Sequence, residues 1–207
     1  MGDDMSSRIP KERRPVEVKI REESVDALTD YGRVSIAFQV EMRFRVDPMD
    51  DGLGGLLLRE EKVEPPYLKD YDDHREEGPT RWAKRWDISN WGILSAYDQD
   101  TRVGGAVIAC DTEGVDMLEG RKDIAALWDI RVQPEVRGQG VGAKLFQRAV
   151  DWSKNKGCRL LKVETQNINV AACRFYLRQG CELGAVNRFA YHELPEEVQL
   201  IWYRRLG

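Results

Sequence analysis

Between residues 34 and 46 an apolar side chain falls on every second position: Val34, Ile36, Phe38, Val40, Met42, Phe44 and Val46. A period of two predicts a strand with one buried face. Upstream, Ser24 is placed to cap a short helix that reaches Tyr31. Residues 47–55, with Pro48, Gly52 and Gly54, supply a turn into a second apolar run at 56–58. Residues 64–79 mix acids and tyrosines with Pro65, Pro66 and Pro79, which predicts an irregular segment with little core of its own. Residues 92–97 and 102–110 predict two strands joined at Asp98-Gln99-Asp100 as a hairpin. Residues 117–123 read as a charged surface connection.

The pattern changes in the second half. Residues 125–132 predict a strand that Pro134 closes. From about residue 140 to 154 the apolar positions Val141, Leu145, Ala149 and Trp152 share one helical face, and Gly157 is a stop signal beyond it. A strand at 159–165 follows, then a helix capped by Asn169, running to Gln179 and ended by Gly180. The last strand covers either 187–192 or 199–203. Strands come first, then strand–helix–strand–helix–strand. The expected class is therefore α+β, an α/β mixed sheet with helices packed on it. Neither an internal repeat nor a low-complexity stretch is present.

Composition narrows the function classes. A chain of 207 residues fits one domain, read as residues 15–207 behind a flexible leader at 1–14 of mixed charge. No apolar run approaches the roughly 18 residues that span a bilayer, so no membrane partner is expected. A formal net charge of −4 argues against nucleic acid and suits a cationic small molecule. Cys110, Cys158, Cys173 and Cys181 form no C-x-x-C pair, and the histidines are His74 and His192. That set predicts neither a zinc site, a disulfide framework nor a histidine triad, and reads as reduced thiols in a cytoplasmic protein.

The strand–helix junction Arg137-Gly138-Gln139-Gly140-Val141-Gly142 carries the first chemistry. Glycines let the backbone turn its N–H groups inward, and a helix N-terminus adds positive potential, so a pyrophosphate fits there. Arg137 is expected to add a charged fork. With Ala143, the same glycines also satisfy the dinucleotide fingerprint G-x-G-x-x-[GA], and Glu164 lies downstream where a ribose-binding acid belongs. Against that reading, residues 133–137 separate the loop from its strand, and little chain remains after Glu164. The earlier segments also read as antiparallel hairpins.

The run Glu164-Thr165-Gln166-Asn167-Ile168-Asn169-Val170-Ala171-Ala172-Cys173-Arg174-Phe175-Tyr176 gives N-x-x-A-x-x-F-Y-x-x-x-G from Asn169 to Gly180. With R-x-x-G-x-G upstream, it resembles the GNAT acetyltransferases over residues 92–191. Pro66-Tyr67-Leu68-Lys69-Asp70-Tyr71-Asp72, the E-T-Q-x-I-N-V-A-A-C run and the ending Ile201-Trp202-Tyr203 look like the streptothricin acetyltransferases. One departure is Cys181, where the family usually has an apolar aromatic residue.

The resemblance implies the GNAT acyl-CoA N-acyltransferase fold, with a central mixed, largely antiparallel sheet. It also implies acetyl-CoA as cofactor and direct acetyl transfer to an amine without an acyl-enzyme. Residues 137–143 (Arg137, Gly138, Gln139, Gly140, Val141, Gly142, Ala143) would hold the pyrophosphate. The strand Ile130, Arg131 and Val132 would offer backbone groups to pantetheine, joined by Asn169 and Ala172. Tyr176 matches the family's tyrosine beside the sulfur, the expected general acid. The general base stays open between Asp129 and Glu164. A small cationic amine, streptothricin foremost, is the expected acceptor, met by Tyr67, Tyr71, Asp72 and Asp73, while Trp91 and Trp128 read as core. Another amine acceptor, or a non-catalytic acyl-CoA-binding module, are the alternatives. By analogy of fold, a homodimer could pair edge to edge through residues 198–202.

Overall fold

The structure, a computed structural model, describes residues 16–73 and 78–207; the expected leader at 1–14 lies outside the described residues. A seven-stranded sheet forms the body. In spatial order its strands are β1 (Val18–Glu23), β4 (Gly92–Asp98), β5 (Thr101–Cys110), β6 (Ile124–Val132), β7 (Leu160–Gln166), β9 (Gln199–Arg205) and β8 (Glu182–Asn187). Every neighbouring pair is antiparallel except β6 and β7, which run parallel. A separate hairpin pairs β2 (Phe38–Pro48) with β3 (Leu56–Lys69). The α+β class with a mixed, largely antiparallel sheet is what the sequence predicts.

Strand alternation divides the core between the two faces of this sheet. On one face Leu94, Ala106, Ile108, Leu127, Leu161 and Val163 pack against Leu145, Phe146 and Ala149 of α3 (Val141–Asn155). On the other, Ile93, Val107, Ala109, Ile124 and Ala126 meet Leu28 and Tyr31 of α1 (Leu28–Tyr31) and Trp82 of α2 (Pro79–Arg85). Burying each large apolar side chain contributes about 1.5–3 kcal/mol, so both faces are held independently of the other. Helix α4 (Val170–Arg178) completes the α3 side, with Cys173 and Tyr176 buried. No helix among the described residues is long and apolar enough to cross a membrane.

Several elements depart from expectation for identifiable reasons. The alternating run at 34–46 becomes strand only from Phe38. Ahead of it the carbonyls of Val34, Ser35 and Ala37 accept hydrogen bonds from the Arg131 and Arg137 guanidinium groups, which satisfies the backbone without a strand partner. In the segment expected to be irregular, β3 continues to Lys69. Its prolines fall where the pairing jumps from Met42↔Lys62 to Val40↔Tyr67, a bulge in which Pro65 and Pro66 owe no ladder bond. The segment also ends in α2, with Pro79 in its first turn. Near Ser24 a short 3-10 turn precedes α1, and the Ser24 hydroxyl bonds Asp26 rather than a helix N–H. The connection at 117–123 buries Leu118 at 1% exposure. The last strand is the 199–203 alternative, extended to Arg205, and β8 precedes it. Because β9 is paired on both sides, by β7 and β8, residues 198–202 offer no free edge for a dimer contact. The edges of the main sheet are β1 and β8.

Candidate active site

The parallel pair β6–β7 registers from Ile124↔Leu160 to Leu127↔Val163 and goes no further. Beyond Leu127, β6 stays paired with β5 alone, so a wedge opens between the two strands. A bulge sits at the same place: Ile108 faces Leu127 while Val107 faces Asp129, which leaves Trp128 as the extra residue. The bulge reverses the alternation in the remainder of β6. Ile130 and Val132 pack on the α3 face, whereas Trp128 lies on the α1–α2 face and Asp129 lines the cleft there.

That cleft has a volume of about 680 Å³. Asp72, Asp116, Glu119, Asp129 and Glu164 line it with carboxylates, and Tyr71, Trp82, Trp86, Trp128 and Tyr203 with rings. Arg81, Arg85 and Lys162 also border it, and the Lys162 ammonium is matched by Glu119 at 2.6 Å. Trp128 and Trp86 meet edge to face at 4.9 Å between ring centroids. Trp128, expected in the core, is therefore a half-buried wall of the cleft, while Trp91 is core as expected.

The two candidate bases have different surroundings. Asp129 is gripped by the buried Arg131, whose Nε and Nη2 donate at 2.9 and 2.6 Å, and the Tyr31 hydroxyl donates to it as well. Burial, with the Asp129 carboxylate adding, pushes the Tyr31 phenol well above its usual range, so it stays a donor. Arg131 also donates to Asp72 at 2.7 and 3.2 Å. Asp129 is thus a member of a buried ion cluster, its oxygens already engaged by Arg131 and Tyr31. Glu164 is held by neutral groups: Tyr191 Oη donates to Oε1 at 2.7 Å and Gln199 Nε2 to Oε2 at 2.8 Å.

On the α3 face, Gly138 and Gly140 adopt φ of +79° and +84°, a region that favours glycine. Among the described residues the N–H groups of Val141, Gly142 and Ala143 have no backbone acceptor. Free donors at the start of a 15-residue helix make a cradle that fits a pyrophosphate. The Gln139 N–H turns back to the Val136 carbonyl at 3.4 Å. The Arg137 fork does not serve the anion as expected. Its three nitrogens donate to the carbonyls of Val132, Ala37 and Ser35 at 2.8, 2.8 and 2.9 Å, so it braces the loop instead.

Asn169 Oδ1 accepts from the Ala172 N–H at 3.0 Å and caps α4. Two turns later Tyr176 is 4% exposed and packs against Phe146 and Phe175. Burial raises its phenol far above the usual range, and the Asp129 charge adds to this. No described residue hydrogen-bonds its hydroxyl.

Of the expected acceptor contacts, Tyr71 and Asp72 line the cleft. Tyr67, paired with Val40 on the hairpin and 41% exposed, does not, and neither does the exposed Asp73. Trp86, Arg81 and Arg85 carry no expectation because the pattern names no element between residue 79 and the strand at 92, where α2 forms. Lys162, Gln199 and Tyr203 follow from strand parity once Glu164 is placed: alternate positions of β7 and β9 share the face.

Comparison with known proteins agrees with the fold. The profile of the acetyltransferase (GNAT) family matches residues 57–181. Streptothricin acetyltransferase A of Bacillus subtilis (strain 168) is 29% identical over 70% of this chain and 76% of its own length. A streptothricin acetyltransferase of Escherichia coli is 31% identical over 51% of this chain and 63% of its own length. A Bacillus anthracis protein solved in complex with acetyl coenzyme A superimposes with a TM-score of 0.69 at 24% identity, covering 94% of this chain and 100% of that one.

Proposed function

The chain belongs to the acetyltransferase (GNAT) family and is an acetyl-CoA-dependent N-acetyltransferase; from that premise we propose that its acceptor is a small cationic amine, foremost the β-lysine amine of streptothricin. The observation that carries this reading is the cleft of carboxylates and rings on the sheet face opposite the glycine loop, with the β6–β7 wedge between them. Carboxylates attract ammonium groups, and Trp128 adds an aromatic wall beside them, while the Trp86 ring already carries the Arg85 guanidinium at 4.5 Å. Two similar proteins named as streptothricin acetyltransferases support the specific acceptor.

When bound, acetyl-CoA supplies an activated acetyl thioester. The free N–H groups of Val141, Gly142 and Ala143 would hold its pyrophosphate, and the unpaired side of β6 at Ile130, Arg131 and Val132, with Asn169 and Ala172, would hold the pantetheine arm. An incoming ammonium must lose a proton before it attacks, and Glu164 is the group assigned to take it, since Asp129 is committed to Arg131. Tyr176, kept protonated by burial, is the group assigned to give a proton to the departing thiolate.

The test is release of free CoA thiol from acetyl-CoA with a panel of amines: streptothricin, a polyamine, free lysine and an N-terminal peptide. Turnover of streptothricin with kcat/KM at least about tenfold above the rest supports the reading. Faster turnover of another amine reassigns the acceptor, and cofactor binding without turnover of any amine removes the proposal.

A further inference from the structure

The clamp on Glu164 extends beyond its two donors. Tyr191 Oη, which donates to Glu164 at 2.7 Å, itself accepts from Gln166 Nε2 at 2.8 Å. Gln166 Oε1 in turn accepts from the Tyr71 hydroxyl. Tyr191 lies in the segment between β8 and β9 and borders a second cavity of about 450 Å³ with Asn167, Arg188 and His192. One phenol therefore joins the wall of that cavity to a carboxylate of the acceptor cleft. The Gln166–Tyr71 link carries the chain on to the segment after β3.

A glutamate carboxyl turns through a broad torsional well, so pointing it needs partners on its oxygens. A cation in that place would fix the carboxylate but stabilise its charged form and weaken it as a proton acceptor. Neutral donors orient it and leave its charge facing the cleft. Burial first, and then the Glu164 carboxylate, push the Tyr191 phenol well above its usual range, so it remains a donor throughout the working pH.

We propose that Tyr191 is the positioning residue for Glu164, aiming its carboxylate at the acceptor amine from a segment outside the cofactor loop and α4. This rests on Glu164 being the proton acceptor. The experiment is steady-state kinetics of the full chain with acetyl-CoA and streptothricin, or the panel amine turned over fastest, for Tyr191→Phe, Glu164→Gln and the double variant. Tyr191→Phe is expected to lower kcat about tenfold with both KM values within about twofold, the loss of one hydrogen bond to a charged group. Glu164→Gln is expected to lower kcat by about a hundredfold or more. On the Glu164→Gln background Tyr191→Phe should cost less than about twofold, because the two act as a unit. Gln166→Met, which frees the phenol without touching Glu164, should give a smaller loss with the same dependence, and it decides the matter if Tyr191→Phe fails to fold. A wild-type kcat in Glu164→Gln removes the base assignment. A fall there beside an unchanged Tyr191→Phe, or losses that multiply in the double variant, overturns the positioning role alone.

Discussion

Replacing Arg131 with methionine tests the buried ion cluster directly. The Arg131 side chain is 1% exposed, Asp129 7% and Asp72 29%. Its guanidinium joins two carboxylates to the Val34 carbonyl, 3.1 Å away. Methionine keeps most of the volume and leaves Asp129 buried with only the Tyr31 hydroxyl facing it. Breaking a buried pair from one side costs roughly 3–5 kcal/mol, and Asp72, reached by water, adds little. A loss of about 3 kcal/mol is expected. At roughly 2–4 °C per kcal/mol for a chain of this size, Tm falls by about 6–12 °C. Urea unfolding at neutral pH measures it, with the m-value unchanged. The variant combining Arg131→Met with Asp129→Asn and Asp72→Asn should recover at least half of the loss, because no buried charge is then stranded. A single-variant loss below about 1 kcal/mol, or a triple variant no more stable than the single, refutes the account.

Three further outcomes are expected. Tyr176→Phe lowers turnover by at least about tenfold while the fold is kept, and unchanged turnover removes the general-acid assignment. Asn169→Ala destabilises the protein by about 1 kcal/mol through loss of the α4 cap, read as a shift in the urea midpoint. Burial pushes the Glu23 carboxyl up, but donors from Ser95, Tyr97 and Arg102 pull it further down, so its folded value lies below 4.5. Its contribution is full above that value and fades as pH falls through the folded one. Glu23→Gln should therefore be less stable than the wild type at pH 7, with the difference closing below about pH 4; a pH-independent difference contradicts this.

What could be read from the sequence was local. Helix α3, with Val141, Leu145, Ala149 and Trp152 inward, and α4, with Asn169 at its head, declare themselves through period and cap. The glycine loop does so through residue type. The hairpin β2–β3 was half legible, because Pro65 and Pro66 signal a break and only the bulge in register makes them harmless. The site depended on facts that periodicity does not carry. Asp129 and Glu164 look equivalent as strand carboxylates, and the difference between them is the company of Arg131 against that of Tyr191 and Gln199. Arg137 looks like a phosphate ligand until the chain from residue 34 folds back and takes two of its nitrogens, the third going to the Val132 carbonyl. The long-range partners Tyr31 and Tyr191 lie 98 and 27 positions from the carboxylates they serve, beyond any local motif.

The single extra residue at Trp128 has a consequence for how this strand can change over time. A strand is a binary string, in-face and out-face, and the bulge inverts every bit after it. Substitutions before Trp128 and after it therefore obey opposite rules of parity, whereas deleting Trp128 itself would set Asp129 directly after Leu127 in ordinary alternation and keep Asp129, Ile130, Arg131 and Val132 on the faces they hold now. Such a deletion would take away one wall of the cleft and leave the polar and apolar programmes of the two faces unexchanged. The bulge is thus the place where β6 can change length by one residue without turning its faces over, while the rest of the strand adapts by point substitution.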